Sequence, residues 1–109
     1  CTEHIYWLCK DKPKVFRDAI DPDYKSEVWI ITPEKQKKHP APFPEQLVKN
    51  CIQLTTQEND VVLDPFMGSG TTAIVSENLN RKRIGFDIDE KYAIITAERL
   101  KKTNLTTFF

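Results

Sequence analysis

The feature that most constrains this chain is a short apolar run that ends in a carboxylate and opens directly into a glycine-containing loop. Residues 61–64 read Val-Val-Leu-Asp, and Gly68 and Gly70 follow. A β-branched run of this length is too short for a helix and favours a buried parallel strand, whereas residues 71–75 begin a helical pattern. The sequence therefore predicts a strand, a glycine loop and a helix in succession.

The spacing of the loop is typical of a nucleotide cradle. Gly68, Gly70 and Ala73 fit the G-x-G-x-x-G/A pattern, in which absent side chains let a ligand approach the backbone at a helix N-terminus. After the predicted helix, residues 83–87 read Arg-Ile-Gly-Phe-Asp and form a second strand pattern that ends in an acid. A carboxylate at that position can accept hydrogen bonds from ribose hydroxyls.

The charge next to the loop bears on which nucleotide binds. Asp64 immediately precedes the loop and would repel the pyrophosphate of a dinucleotide unless it were protonated or turned away. S-adenosylmethionine has no phosphate, carries a sulfonium and an ammonium group, and has a carboxylate that helix N-terminal amides can receive. No Lys follows Gly70, so a phosphate-binding P-loop is a poor match. The residues favour S-adenosylmethionine, with an NAD-binding fragment as a less favoured alternative.

These residues resemble a known family. Residues 64–72, Asp-Pro-Phe-Met-Gly-Ser-Gly-Thr-Thr, are similar to the cofactor motif of the DNA amino-methyltransferases, which methylate adenine N6 or cytosine N4. Residues 38–47 resemble the proline-rich helix entry that precedes this motif in the family's β-type order. Residues 85–89, together with Tyr92, Arg99 and Leu100, resemble its ribose-binding strand and following helix. Residues 3–10 are similar to a late core strand beside the target-base pocket.

The resemblance implies a fold and a domain organisation. It implies an α/β chain that is part of a doubly wound, Rossmann-like methyltransferase fold with a mostly parallel sheet, and whose N-terminal portion is missing. Residues 1–109 would be the C-terminal part of one domain, with 1–39 as the late core strand and a short recognition-side loop region and 40–109 as the cofactor-binding βαβ region. We expect strands near residues 4–9, 28–31, 60–64 and 82–87, and helices near 44–55, 70–80 and 90–102.

The same resemblance, together with the loop chemistry, assigns the cofactor contacts. Asp64 and Asp87 are the sharpest of these predictions, although Asp87 could instead cap a helix that begins near Glu90, a role open to Asp89 as well. Ser69, Thr71 and Thr72 could also be helix caps. No metal site is expected, because no ligand residues are spaced around His39 as a metal requires. The predicted cofactor residues are His39, Pro40, Phe43, Asp64, Pro65, Phe66, Gly68, Ser69, Gly70, Thr71, Thr72 and Asp87.

One family element is absent from the sequence. Catalysis in this family is assigned to a D/N/S-P-P-Y/F/W motif, and the nearest imitation, Asp21-Pro22-Asp23-Tyr24, lacks the second proline and is typical of a turn. We therefore assign no catalytic residue and expect the motif to come from a missing N-terminal segment or a second chain. The chain alone is predicted to be inactive. A non-catalytic subunit that binds S-adenosylmethionine is the alternative.

The charge of the chain indicates a nucleic-acid partner less clearly than the glycine loop indicates a cofactor. Sixteen basic and sixteen acidic residues cancel, so no global basic field indicates nucleic acid. Lys12, Lys14 and Arg17 form a local basic run that could contact DNA phosphates or be a solvated face. The resemblance implies double-stranded DNA, with the target base flipped out of the stack, and leaves a homodimer and the choice between adenine N6 and cytosine N4 open.

Three cysteines without paired spacing favour reduced thiols, and no signal peptide or membrane-spanning segment is visible. Together with the resemblance, this predicts an enzyme of DNA methylation and restriction-modification systems in a prokaryotic cytoplasm, with no membrane partner.

Overall fold

A computed structural model describes residues 3–32 and 43–107, and the regular elements lie in the second of these ranges. The predicted helices near 44–55, 70–80 and 90–102 and the predicted strands near 60–64 and 82–87 are confirmed. In chain order the elements are α1 (Glu45–Thr55), β1 (Val61–Asp64), α2 (Thr71–Asn78), β2 (Lys82–Gly85) and α3 (Glu90–Thr107).

The two strands form a parallel pair. Val61 lies opposite Lys82, and Asp64 lies opposite Gly85. Parallel neighbours need a crossover connection, which α2 supplies here. Because both strands run in the same direction, the loop after β1 and Asp87 after β2 meet at one edge of the pair, where open α/β sheets bind their ligands.

The core is centred on α2. Its Ala73, Ile74 and Val75 are buried, and the helix contacts α1, α3 and β2. An eight-residue helix that packs against two helices and a strand is buried nearly all round, so it shows no amphipathic stripe. On the opposite face of the sheet, Val61 and Leu63 remain 55% and 60% exposed. Within the described ranges the sheet is thus covered on one face only.

The predicted strands near residues 4–9 and 28–31 are wrong. Both segments lie within the described residues, and neither is part of a strand ladder. Leu8 and Ile30 are 88% and 89% exposed. A strand forms only when its backbone pairs with a neighbour, and the described residues offer these apolar runs no partner. Residues 3–32 are instead attached to residues 43–107 through Phe16, whose amide donates to the Leu54 carbonyl of α1 at 2.9 Å.

Helix α1 contains a buried polar residue that the sequence pattern did not indicate. Ile52 is buried as its apolar periodicity predicts, but Asn50 is also fully buried. The Asn50 Oδ1 atom accepts a hydrogen bond of 2.7 Å from Gln46 Nε2. Its Nδ2 atom has no partner in the part of the chain that the structure describes. None of the helices in that part is long and apolar enough to cross a membrane.

Candidate cofactor-binding site

The loop between β1 and α2 needs its two glycines for its backbone shape. Gly68 has φ 55° and Gly70 has φ 87°, both in the left-handed region that side chains disfavour. Gly70 is also the residue that precedes the first turn of α2, and no side chain caps that helix. The first amides of α2 therefore have no side-chain acceptor at the edge where the strands end.

Asp64 holds the two ends of this loop together. Its Oδ1 atom accepts a hydrogen bond of 3.0 Å from the Phe66 amide, and its Oδ2 atom accepts one of 2.7 Å from the Thr72 hydroxyl. The carboxylate thus links the end of β1 to the first turn of α2. It also places a half-buried negative charge at the base of the loop.

Asp87 reaches back to the same loop from the end of β2. Its Oδ2 atom accepts a hydrogen bond of 2.9 Å from the Gly68 amide, and its Oδ1 atom accepts one of 2.8 Å from the Asp89 amide. A carboxylate offers about four acceptor positions, so an exposed Asp87 retains capacity for a ligand hydroxyl. The cap of α3 is Asp89, whose Oδ1 atom accepts from the Lys91 amide at 3.0 Å. This leaves Asp87 outside the capping role that competed with cofactor binding.

Helix α3 contacts the loop through Thr96 and Arg99, two residues that the sequence analysis did not predict for the site. The Thr96 hydroxyl donates to the Gly68 carbonyl at 3.4 Å, and Arg99 Nη1 donates to the Ser69 carbonyl at 2.7 Å. Neither residue belongs to the predicted cofactor set, although Arg99 is one of the residues that carry the family resemblance. Their spacing of three positions, which places two polar side chains on one helix face, is the signal that could have found them.

A cavity of about 320 Å³ lies between the loop, the end of β2 and α3, near the lower limit for ligand pockets. Gly68, Asp87 and Thr96 are among the residues that line it. Met67 fills part of this space and lies against Gly85, where a Cβ atom would overlap its Cε. Gly85 is therefore required for the close approach of the Met67 side chain.

A larger cavity of about 420 Å³ lies at the other end of the strands. Phe16 and Ala19 line it together with Asn80 and Arg81, which precede β2. Neither a glycine loop nor an acid pair is part of its lining, and Arg81 already donates to the Thr56 carbonyl at 2.9 Å. The smaller cavity adjoins the candidate site, since Gly68 and Asp87 are the two predicted cofactor residues in its lining.

The structure brings some of the predicted cofactor residues together and leaves others apart. Asp64, Gly68, Gly70 and Asp87 converge on one edge. Phe43 and Phe66 expose their rings, Thr71 is buried, and the predicted His39 and Pro40 lie outside the described residues. The remaining predicted residues, Pro65, Ser69 and Thr72, belong to the loop or to the first turn of α2.

The predicted DNA contacts lie in the N-terminal segment. Lys12, Lys14 and Arg17 are exposed. Arg17 begins a short 3-10 turn, Arg17–Ala19, whose last residue lines the 420 Å³ cavity. It is therefore at the opposite end of the strands from the glycine loop.

The nearest imitation of a catalytic motif is a local turn, as the sequence predicted. Pro22–Tyr24 is a 3-10 turn in which Asp21 Oδ1 accepts a hydrogen bond of 2.9 Å from the Asp23 amide. Among residues 3–32 and 43–107, no group of three or more His, Cys, Asp or Glu side chains is arranged to hold a metal ion.

A parallel βαβ unit with a glycine loop after the first strand and an acid after the second defines a Rossmann-like nucleotide-binding protein. A family model described as DNA methylase matches residues 2–98, and the chain belongs to this family.

Individual relatives agree with this assignment. The Type II methyltransferase M2.LlaDCHI of Lactococcus lactis subsp. cremoris is 37% identical over 93% of this chain and 42% of its own length. The protein in the crystal structure of the M1.HpyAVI–SAM complex is 35% identical in sequence to this chain. The two structures superpose with a TM-score of 0.65, over 79% of this chain and 43% of that one. The PvuII cytosine-N4-specific DNA methyltransferase is 41% identical, with a TM-score of 0.55 over 58% of this chain and 22% of that one.

The chain spans less than half the length of each of these proteins. Its fold is accordingly part of the Rossmann-like methyltransferase fold, as the sequence predicted, with two parallel strands in the described residues.

Proposed function

We propose that this chain binds S-adenosylmethionine and is the cofactor-binding portion of a DNA methyltransferase that methylates adenine N6 or cytosine N4. The observation that carries the proposal is the edge where Asp64 ends β1, Asp87 follows β2, and both bond to the glycine loop. The relative M1.HpyAVI was solved in complex with SAM, which supports the same cofactor here.

The charge at this edge favours S-adenosylmethionine over a dinucleotide. Asp64 is held at the base of the loop by Phe66 and Thr72, so its negative charge is not turned away from the loop. A fixed carboxylate attracts a sulfonium or an ammonium and repels a pyrophosphate. The uncapped amides at the start of α2 suit the ligand carboxylate.

The rest of the ligand has partners in the same place. Asp87 has acceptor capacity for the ribose hydroxyls, and the exposed rings of Phe43 and Phe66 offer packing surfaces. We include the complete predicted cofactor set in the proposal, His39 and Pro40 among it.

The reaction we propose for the whole protein is a direct methyl transfer. Bound S-adenosylmethionine would supply a methyl group to the exocyclic amino nitrogen, with the carbon–sulfur electron pair left on sulfur and one proton released from the nitrogen to solvent. S-adenosylhomocysteine and a methylated base are the products. A flipped base is part of the proposal, because neither amino nitrogen is accessible to this chemistry inside the stack.

The proposal assigns no catalytic residue to this chain. Asp21 and its neighbours form a capped turn, so a P-P-aromatic motif would come from an N-terminal segment or a second chain. The alternative is a non-catalytic subunit that binds S-adenosylmethionine. Methylation of DNA by this chain alone, measured with labelled cofactor, would contradict the assignment.

The proposed substrate is double-stranded DNA in a prokaryotic cytoplasm, in a restriction-modification setting. Lys12, Lys14 and Arg17 are the proposed phosphate contacts because they are exposed cations in one short segment. Since Arg17 lies at the far end of the strands, we expect these residues to contact DNA that flanks the target base. A homodimer and the choice between N6 and N4 remain alternatives within the proposal.

Calorimetric titration with S-adenosylmethionine tests the cofactor proposal. We expect saturable binding that weakens by about tenfold or more in Asp87→Ala, because the variant loses both a ribose acceptor and a charge-assisted bond to Gly68. Asp60→Ala is the matched control, since Asp60 lies at the opposite end of β1 and bonds to the Gln57 amide. That variant should bind as the wild type does.

NADH is the competitor that distinguishes the nucleotide classes. Displacement of S-adenosylmethionine by NADH at similar concentrations would favour the oxidoreductase alternative. No binding of S-adenosylmethionine by a chain shown to be folded by circular dichroism would refute the proposal for this chain alone.

A further inference from the structure

One face of α3 contacts three consecutive residues of the glycine loop. Thr96 donates to the Gly68 carbonyl, and Arg99 donates to the Ser69 carbonyl. Thr96 also lies against Gly70, where a Cβ atom would be 2.5 Å from its Oγ1. Helix α3 therefore contacts the loop at residues 68–70.

These contacts orient the amides on the other side of the loop. The described backbone contains no cis peptide bond, and in a trans peptide the C=O and N–H groups point in opposite directions. Because the Gly68 carbonyl points to Thr96, the Ser69 amide of the same peptide points away from α3. The first amides of α2 follow directly along the chain and have no side-chain cap.

Arg99 is the stronger of the two contacts and also connects the loop to a second element. Its bond to the Ser69 carbonyl is 2.7 Å and charge-assisted, whereas the Thr96 bond is 3.4 Å. Its Nη2 atom lies 3.8 Å from the Glu45 carboxylate, at the first residue of α1. The Arg99 side chain is only 20% exposed, so this contact is partly shielded from solvent.

A guanidinium can hold both partners at once because its donors form a planar fork. A lysine ammonium in its place would keep the positive charge but would lose this fixed geometry. Glu45 comes two residues after Phe43, so Arg99 links the glycine loop to the entry of α1. Both elements belong to the proposed cofactor site.

We propose that Arg99 is a positioning residue for the amino-acid end of S-adenosylmethionine. The Gly70 amide of the peptide that Arg99 holds donates to the Met67 carbonyl at 3.0 Å, and the Phe66 and Gly68 amides donate to Asp64 and Asp87. Arg99 fixes the Ser69 carbonyl and the start of α1, so that the Ser69 amide and the first amides of α2 meet the ligand carboxylate without reorganising. This inference rests on the proposed function and concerns the same site. It assigns no direct ligand contact to Arg99.

Paired binding measurements on the 109-residue chain test the inference. The two ligands are S-adenosylmethionine and 5′-methylthioadenosine, which lacks the amino-acid end. We expect Arg99→Ala to weaken binding of S-adenosylmethionine by about tenfold or more and to change binding of methylthioadenosine by less than about twofold. Arg99→Lys should not restore the affinity for S-adenosylmethionine, since charge alone does not reproduce the fork. Lys101→Ala, which removes an exposed cation of α3, is the control and should bind both ligands normally.

Each alternative outcome has a definite meaning. Equal losses for both ligands, no loss for either, or full restoration by lysine would overturn the inference. If Arg99→Ala does not fold, Glu45→Gln removes the charge that pairs with Arg99 and keeps the size of the side chain, and a loss confined to S-adenosylmethionine is again expected. A Glu45→Gln chain that binds both ligands normally would then overturn the inference. Wild-type chain that binds neither ligand would overturn the proposed function, whereas wild-type binding with a normal Arg99→Ala variant would overturn only the role of Arg99.

Discussion

Residues 43–107 and residues 3–32 contain similar apolar runs but form very different structures. In the first range, the runs at 61–64 and 82–85 pair with each other and become β1 and β2. In the second, the runs near 4–9 and 28–31 are not paired, and Tyr6 and Ile30 are exposed. An apolar β-branched run shows what a segment is able to form, whereas the availability of a neighbour decides what it does form.

The two ranges also differ in the reach of their hydrogen bonds. The loop in the C-terminal range is held by Asp87 and Arg99, which are 19 and 30 residues away from their partners. In residues 3–32, the side-chain bonds found join residues at most five positions apart, such as Trp29 Nε1 to the Tyr24 carbonyl. The backbone bond between Phe16 and Leu54 is one link to the body. We therefore expect the N-terminal range to open before the rest unfolds.

The largest expected effect comes from the loop of the C-terminal range. Gly70→Ala should lower the free energy of unfolding by about 2–4 kcal/mol, because the new Cβ would combine a left-handed φ with an overlap on Thr96. Urea denaturation followed by circular dichroism measures the change.

Gly68→Ala is the matched control for this prediction. Gly68 shares the left-handed φ, but the nearest atom to a Cβ would be the Phe66 carbonyl oxygen at 4.0 Å. Its cost should be about 1 kcal/mol, from the backbone alone. Equal destabilisation by the two variants would show that contact with α3 adds nothing to the stability of the loop.

A smaller and local effect is expected where the N-terminal range is anchored. Ile20 is buried beside the turn that contacts α1. Ile20→Ala should weaken this attachment by about 2 kcal/mol through lost apolar contact. Limited trypsin digestion should then cleave after Lys14 and Arg17 faster than in the wild type, while cleavage after Arg83 in β2 is unchanged.

Val15→Ala serves as the comparison, since Val15 is 40% exposed whereas Ile20 is 3% exposed. It should leave the digestion pattern as it is. Faster cleavage in β2 of the Ile20→Ala chain would mean that the two ranges unfold together, which would contradict the separate opening of residues 3–32.

The smallest expected effect compares one cysteine from each range. Cys9 is exposed, whereas burial raises the pKa of the Cys51 thiol above its ordinary value of 9.0. A raised pKa means less thiolate at pH 8, so iodoacetamide should modify Cys9 faster than Cys51. Mass spectrometry of the separate peptides measures both rates, and unfolding in urea should make them similar.

The same shift has a consequence for stability. Folding favours the neutral thiol of Cys51. Its contribution to the free energy of unfolding is therefore fully present below the ordinary pKa and is lost as the pH rises through the raised pKa of the folded state. Modification of Cys51 at the rate of Cys9 in the native chain would contradict the burial seen at this position.

Local patterns were sufficient to predict the fold of residues 43–107. The helical periodicity, the short β-branched run and the glycines gave α1, β1, α2, β2 and α3 in the right order. The same reasoning failed for residues 4–9 and 28–31, because pairing depends on residues outside the run itself. Asn50 was missed for a similar reason, since its burial follows from the packing of α1 on α2 and not from its polarity.

The candidate site was predictable where its residues lie close to the loop in sequence. Asp64 and Gly70 could be read directly from the motif, and Asp87 from the end of the next strand. For Thr96 and Arg99 the sequence offers only their spacing on one helix face, since their contacts with the loop depend on how α3 packs against it. The assignment of cofactor contacts to individual residues stays a prediction that the proposed titrations address.

Because Thr96 and Arg99 bond to loop carbonyls from α3, the conformation of the loop depends on a helix that is distant in the sequence. A helix turns by about 100° per residue, so one residue inserted in α3 before Thr96 would rotate both donors away from the loop. Transplanting residues 64–72 into another α/β protein would transfer the glycines and Asp64 but not the helix that supports them. The motif is therefore not portable by itself, and a functional graft would have to carry β2 and α3 with it.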